Sequence, residues 1–332
     1  MRLGLDLYSV RSQGWDAFQM LDYCHELGVD VAHFGMGDLG STAPDHLAAI
    51  RARADALGLE LEVGMGSICE TSTSFRPANG SAVEQAQRAL AVADALGSRV
   101  LKCLLGGGAD RHTPTPLHTH IANVVATLEA VREQAMDRGI TLAIENHTGD
   151  MQGRELRGLI EAAGREFVGA CFDSGNSVWA GETPMTTFEH IAPYIVTSHL
   201  RDSVVFPHPR GAAWQWVAIG DGNVAFDAVA QRMKRECPDA SFTLEIITGR
   251  PPRVMPYLEP EYWEVFRETP AHEFARFVET VRQGQPFMGH MIMADGSDEA
   301  PSEYAAALAA QQRVDVARSV RYCQEVLGIQ EP

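Results

Sequence analysis

The sequence predicts an α/β chain folded as a single (β/α)8 TIM barrel, with an extended segment between the eighth strand and the last helix. Three observations predict it. Six helical runs end in glycine (Gly28, Gly58, Gly97, Gly139, Gly164 and Gly328), and five of these glycines lead into a short apolar run. Glycine tolerates the left-handed conformation that satisfies the last carbonyls of a helix, so the repetition marks helices alternating with strands. Several of the apolar runs are nearly continuous, as parallel strands covered on both faces require. Third, no G-x-G-x-x-G follows the first run, and Leu104-Leu105-Gly106-Gly107-Gly108 lacks the Lys-Ser/Thr of a phosphate-binding loop. That argues against an open nucleotide-binding sheet.

The eight strands are expected over 3–10, 29–35, 60–66, 99–105, 140–147, 168–176, 195–202 and 241–248. Between them lie amphipathic helices. Ser81 followed by Glu84 reads as a capping box that opens the helix before Gly97. Ile121, Val124, Val125, Leu128 and Val131 recur at helical spacing, with Glu129, Arg132 and Glu133 on the other side. After the eighth strand, 250–302 breaks the pattern with Pro251, Pro252, Pro256, Tyr257, Pro260, Tyr262, Trp263 and Phe266. Helices are expected over 270–282 and 303–327, the latter as the eighth barrel helix. The segment 250–302 is then a rim insertion without a core of its own, and 1–332 is one domain.

With 332 residues, 45% hydrophobic and 21% charged, the chain has the composition of a globular protein with a large core, not of a disordered, collagenous or disulfide-stapled one. Lys and Arg total 27 against 44 Asp and Glu, a formal charge of −17. Such a surface repels phosphate backbones and anionic lipid, so neither nucleic acid nor membrane is an expected partner. No apolar window is long enough to span a bilayer, and the first residues alternate like a strand, not like a signal peptide. The six cysteines are scattered and mostly lie in apolar runs, which points to buried reduced thiols in a cytoplasmic enzyme.

In barrels of this kind the reacting groups sit at the C-terminal ends of the strands. Four consecutive strand ends carry hard-metal ligand types: Glu145, Asp173, His199 and Glu245. They stand five, five, four and four residues beyond the expected strand starts at 140, 168, 195 and 241. Alternation turns Ala143, Glu145 and His147 toward the axis and Leu142 and Ile144 toward the helices, and likewise Glu245 inward between Leu244 and Ile246. Three carboxylates this close repel unless a cation or protons neutralise them. Three oxygens and one imidazole suit one divalent ion, Mn²⁺ first, with Mg²⁺ or Co²⁺ as alternatives. Lys102 and Arg201 are candidates to polarise a substrate oxygen, with pairing to a barrel acid as the alternative for Lys102. Trp15, Trp179, Trp214 and Trp216 fall in loops after strands one, six and seven, where rings can cover a sugar face. His112, His118 and His120 match no standard metal spacing and read as a solvated loop; His208 and Arg210 lie in a further loop. No Ser-His-Asp order is present.

At its four acid and histidine motifs the chain resembles the xylose isomerase-like TIM barrel superfamily: sugar phosphate isomerases and epimerases, ketose 3-epimerases, inosose dehydratases and endonuclease IV. The resemblance covers about 1–248 and the last helix. It implies that Glu145, Asp173, His199 and Glu245 bind the metal and that the two glutamates also act as bases on opposite faces of the substrate. It also implies a small carbohydrate substrate, for which Lys102, Arg201, Asn176, Trp179 and Trp15 are the expected contacts. Two departures stand out. Asn176 occupies the place of a histidine three residues after the aspartate, and Met151 that of a second glutamate. His147, two residues after Glu145, is the acid/base candidate that remains.

The expected chemistry follows. A divalent ion chelating neighbouring hydroxyl and carbonyl oxygens acidifies the C–H between them and stabilises an enediolate, so isomerisation or epimerisation is the leading expectation. The alternative is a lyase working by elimination on a keto-sugar, as in the dehydratases and in the large subunits of C-glycoside deglycosidases. A homo-oligomer is expected, and the alternative adds a small second subunit.

Overall fold

The apolar runs become strands and the runs between them helices, in alternation from the first strand to the sixth. The computed structural model describes residues 1–293 and 301–330. In chain order these are β1 (Leu3–Asp6), α1 (Ala17–Leu27), β2 (Val31–Gly35), α2 (Pro44–Leu57), β3 (Glu60–Ser67) and α3 (Ala82–Leu96). There follow β4 (Val100–Leu104), α4 (Leu117–Arg138), β5 (Thr141–Glu145), α5 (Gly153–Ala163), β6 (Val168–Phe172), a short α6 (Ser174–Ser177), α7 (Pro184–Ile191) and β7 (Ile195–Ser198). The remainder is a hairpin of β8 (Asp202–His208) and β9 (Gly211–Val217), then α8 (Phe226–Glu236), β10 (Phe242–Leu244), β11 (Arg253–Met255), α9 (Pro260–Glu264), α10 (Ala271–Gln283) and α11 (Ser302–Glu325).

Eight parallel strands hydrogen-bond in the order β10-β1-β2-β3-β4-β5-β6-β7. The seam between β7 and β10 is bridged where Leu200 pairs with Leu244. There the Leu200 N–H donates to the Thr243 carbonyl at 2.8 Å and the Glu245 N–H to the Leu200 carbonyl at 3.0 Å. The result is the expected TIM barrel. Helix ends follow the sequence signals. The Ser81–Glu84 capping box forms at the start of α3, and Gly28, Gly58, Gly97 and Gly139 close α1 to α4 in the left-handed conformation.

The main apolar core lies between strands and helices, around residues such as Leu5, Phe34, Leu90, Leu142, Phe172 and Phe242. The barrel axis is different. A small apolar patch of Val100, Ala143 and Cys171, packed against Val196, lies within it. Beside it the interior turns polar: Glu62 accepts hydrogen bonds from the hydroxyls of Thr197 at 2.5 Å and Ser241 at 2.6 Å. Gly64 makes room for what lies nearby, because a Cβ there would meet His33 Nε2 at 2.6 Å and Lys102 Cε at 3.1 Å.

The strands are shorter than the apolar runs suggest. β1 stops at Asp6, whose side chain caps a 3-10 turn over Leu7–Val10, and β6 stops at Phe172, where Asp173 caps α6. The rim departs further from expectation. The residues after β7 form the β8–β9 hairpin, which β11 extends to a three-stranded antiparallel sheet. One face of this sheet packs Val205, Ala212, Trp214 and Trp216 against Phe277 and Val281 of α10. The cluster is shared: Met255, Phe277 and Val281 come from the segment 250–302, and Val178, Val205, Ala212, Trp214, Trp216, Val224 and Ile247 from outside it. Its physical basis is the alternation of side chains along β8 and β9: Val204, Phe206, Ala213 and Val217 take the other face. The helices expected over 270–282 and 303–327 appear as α10 and α11. Among the described residues no helix is long and apolar enough to cross a membrane.

Gly58 sits at φ 72° with open space around the position a Cβ would take, so an alanine there bears only the backbone cost. Gly58→Ala is expected to lower stability by about 1 kcal/mol, read as a lower urea midpoint with an unchanged slope.

Candidate active site

Each barrel strand delivers its last inward residue to the same mouth, and the four expected ligands are brought together there. Glu145 ends β5, Asp173 follows β6, His199 follows β7 and Glu245 follows β10. Glu145, Asp173 and His199 are at most 1% exposed and Glu245 is 8% exposed. Asn146 aligns two of these ends: its amide donates to the Asp173 carbonyl at 2.8 Å, and its side-chain oxygen accepts the Asp173 N–H at 2.9 Å.

Arg201 lies at the centre of the group. Its guanidinium bonds Asp173 Oδ2 at 2.5 Å, contacts Glu245 Oε2, and stands 3.9 Å from Glu145 Oε1. The guanidinium carbon is held 4.4 Å over the ring of Trp216, whose indole N–H donates to the Gly175 carbonyl at 3.2 Å. Lys102 Nζ pairs with Glu145 Oε2 at 2.8 Å. His199 Nδ1 is 3.3 Å from Glu245 Oε2, and its Nε2 is 3.4 Å from Asp6 Oδ2.

These pairings decide the ionisation. Burial opposes the charge on Glu145, but Lys102, His147, His199 and Arg201 outweigh it and hold the carboxyl well below its ordinary range. Burial likewise opposes the charge on Glu245, yet Arg201 and His199 bring it down to about 2. Asp173 goes the other way: burial dominates, Arg201 opposes it only in part, and Glu145 and Glu245 add repulsion. Burial disfavours the His199 imidazolium, but Asp6 and Glu245 overcome it and raise the group to about 9.

The donor set fits a divalent cation. Ligand atoms of Glu145, His199 and Glu245 lie within 4.8 Å of one another, and His199 Nδ1 is buried with no well-aligned hydrogen-bond partner. Asp173 is linked to the same group through Arg201.

The mouth is a cavity of about 780 Å³ whose wall includes Lys102, His147, His199, Arg201, Glu245 and Trp179. The His147 ring is fixed by Nδ1, which donates to the Gly106 carbonyl at 2.5 Å and leaves Nε2 as the acceptor. Thr148, beside it, is a β-branched residue at φ 43°, an uncommon conformation of the kind that clusters at functional sites.

Two expected substrate contacts are corrected. Asn176 is 2% exposed and is not on the cavity wall; its amide donates to Asp173 Oδ2 at 2.6 Å and Glu145 Oε1 at 3.2 Å, so it orients the carboxylates. Trp15 lines a separate cavity of about 340 Å³ with Phe18 and Leu39 and packs on Tyr23 at 5.0 Å, because the loop after β1 turns outward. The expected solvated histidine loop is also corrected in part: His118 and His120 belong to α4, and His120 is buried with Nδ1 2.7 Å from the Thr71 hydroxyl.

Asp6 and His33 were missed. They join His199 in a second convergent group, and His33 Nδ1 lies 3.4 Å from Glu62. The signal was present: position 33 stands four residues beyond the strand start expected at 29, the same height as His199 and Glu245 on their strands.

Fold and site together define an enzyme-like barrel with a polar, ligand-bearing mouth, and residues 9–283 match the family described as xylose isomerase-like TIM barrel, to which the chain belongs. Among curated relatives it is 26% identical over 223 residues to 3-oxo-isoapionate decarboxylase of Pectobacterium atrosepticum, covering 65% of this chain and 72% of that one. It is 32% identical over 109 residues to the uncharacterised protein YihM of Escherichia coli K12, and there the match spans only 33% of this chain and 32% of the relative. Among solved structures, D-psicose 3-epimerase in the presence of D-fructose is similar with a TM-score of 0.62 at 14% identity, covering 99% of this chain and 100% of that one. That last likeness is one of fold.

Removing one partner of a buried charge group leaves the others uncompensated. In chelator-treated protein, Arg201→Met is expected to cost about 3–5 kcal/mol of unfolding free energy, measured by urea denaturation. A loss below about 1 kcal/mol, the size of a surface ion pair, would show that the guanidinium is not the neutralising group.

Proposed function

We propose that the chain is a divalent-metal-dependent isomerase or epimerase of a sugar or sugar derivative, passing through an enediolate. Glu145, Asp173, His199 and Glu245 would hold the cation, with Mn²⁺ favoured by the three hard oxygens and Mg²⁺ or Co²⁺ as alternatives. The observation that carries the reading is the convergence of Glu145, His199 and Glu245 within 4.8 Å at the mouth. When bound, such a cation supplies Lewis-acid stabilisation of negative charge developing on neighbouring carbonyl and hydroxyl oxygens.

The chain's own residues supply the rest. Glu245 lines the cavity and stays ionised at neutral pH, so it accepts the proton from the acidified carbon. His147, with its lone pair on Nε2, is the second accessible proton carrier. Return of the proton by one base to the adjacent carbon completes an isomerisation; delivery to the opposite face by the other completes an epimerisation. Glu145 has Lys102 on one oxygen and Asn176 on the other, so it acts as a ligand more than as a base. Trp179 and Trp216 on the wall offer rings to the apolar face of a sugar. The six buried free cysteines support a cytoplasmic setting.

A second reading is a lyase acting on a keto-sugar. It is favoured by the similarity to 3-oxo-isoapionate decarboxylase and by Asn176 and Met151 standing where ketose 3-epimerases carry histidine and glutamate. Loss of carbon dioxide leaves the electron pair of the broken C–C bond as an enediolate that then takes up a proton, whereas expulsion of a β-leaving group uses the pair that proton removal leaves; the same residues would stabilise the charge and carry the proton in both. A homo-oligomer, with a small second subunit in the lyase case, belongs to this proposal.

Incubation with a panel of ketoses and keto-sugar acids in deuterated water tests both readings. Metal-dependent uptake of deuterium into unchanged or isomerised sugar supports the first; release of carbon dioxide or water supports the second. Dialysis against a chelator is expected to abolish turnover and added Mn²⁺ to restore it. Glu245→Gln is expected to lower the rate at least about 100-fold while the circular dichroism spectrum is kept. A near-normal rate would remove Glu245 from the proton transfer.

A further inference from the structure

The cavity wall departs from the acidic balance of the chain that forms it. The protein carries a formal charge of −17, yet the wall presents Arg76, Lys102, Arg201, Arg250 and Arg253 against Asp6, Asp38 and Glu245. Lys102 and Arg201 are taken up by Glu145, Asp173 and Glu245. Arg76, Arg250 and Arg253 form no ion pair among the described residues, although other rim arginines do: Arg111 pairs with Glu155, and Arg210 with Glu259 at 2.5 Å.

These arginines are placed by the fold. Arg253 opens β11, opposite Trp214 in the rim sheet, and its guanidinium carbon rests 4.6 Å over the ring of Trp179. Trp179 contacts Trp216 at 6.2 Å, and Trp216 carries Arg201 on its ring. An aromatic bridge thus joins the rim arginine to the carboxylate centre. Arg250 follows the loop after β10, where its carbonyl accepts the Gln215 amide at 2.8 Å. Like charges crowd here. Burial first, and then Arg250, draws Arg253 below its ordinary range, and Arg250 also adds to the lowering at Arg11 behind it. Arginines on the cavity wall with no ion-pair partner among the described residues are free to meet an anion. The planar guanidinium fork suits the paired oxygens of a carboxylate or phosphate.

We propose that Arg250 and Arg253, with Arg76 on the same cavity, bind an oxyanion carried by the substrate, so that the substrate is a sugar acid or a sugar phosphate and not a neutral sugar. This rests on the cavity being the active site, as proposed above. The apolar face of the sugar lies along Trp179 and Trp216, and the anion lies at the rim, away from the reacting carbons.

Calorimetric titration of the manganese-loaded full chain with three probes matched except at C6 tests it: D-fructose, D-fructuronate and D-fructose 6-phosphate. At least one anionic probe is expected to bind ten-fold or more tightly than D-fructose, and which one does so separates carboxylate from phosphate. Arg250→Gln/Arg253→Gln is expected to erase that difference while D-fructose binding changes less than two-fold. Equal or absent binding of both anionic probes overturns the inference, as does a preference that survives the double substitution. The preference is expected to persist in Glu245→Gln. Anion preference without metal-dependent turnover would sink the proposed reaction alone, whereas metal-dependent exchange on D-fructose without anion preference would sink this inference alone.

Discussion

Three carboxylates from three different strands are buried within reach of one guanidinium, and much of the architecture answers to that constraint. Taking Glu145, Asp173 and Glu245 out of water costs several kcal/mol each unless positive charge is placed against them with good geometry. Arg201 meets two of them directly and the third at longer range, and Lys102 meets Glu145 from the neighbouring strand. Neither cation could be held there by its own backbone alone. Arg201 needs the Trp216 ring beneath it, and Lys102 needs the space that the missing Cβ of Gly64 leaves. The parallel barrel supplies the common height, and Asn146 and Asn176 lock the carboxylate ends to one another.

The same constraint divides the molecule into two working parts. The barrel carries the charges and sets their distances through backbone register. The rim, built from the β8–β9 hairpin, β11 and α10 around a shared apolar cluster, carries the tryptophans and arginines that face whatever enters. The two parts meet where Trp216 of β9 supports Arg201 among the carboxylates; loops on a common barrel are how the fold hosts different substrates.

Much of the site was legible in the chain because strand ends are local features. Glu145, Asp173, His199 and Glu245 could be placed by counting from each apolar run, since period-two alternation decides which residue faces the axis. The same count puts His33, four residues beyond the strand start at 29, at the height of His199 and Glu245. The hairpin lay outside the reading: Trp214, Trp216, His208 and Arg210 are expected in loops, and the structure pairs 202–208 with 211–217 as two antiparallel strands. Asn176 and Trp15 were misassigned for a different reason. Both sit at the right height on the right end of the barrel, but whether a loop residue turns into the cavity or away from it depends on neighbours that are distant in sequence.

What the sequence determined by itself is the alternation of strands and helices, the glycine-closed helix ends, the barrel and the acid and imidazole groups at its mouth. Each is carried by a pattern only a few residues long. The tertiary structure alone decided that Arg201 stands among the acids, that Lys102 belongs to Glu145, that Asn176 serves the carboxylates, and that a tryptophan bridge joins the rim arginines to the centre. Those contacts join segments tens of residues apart. They depend on how the strands stagger as the barrel closes, a quantity that no local period contains.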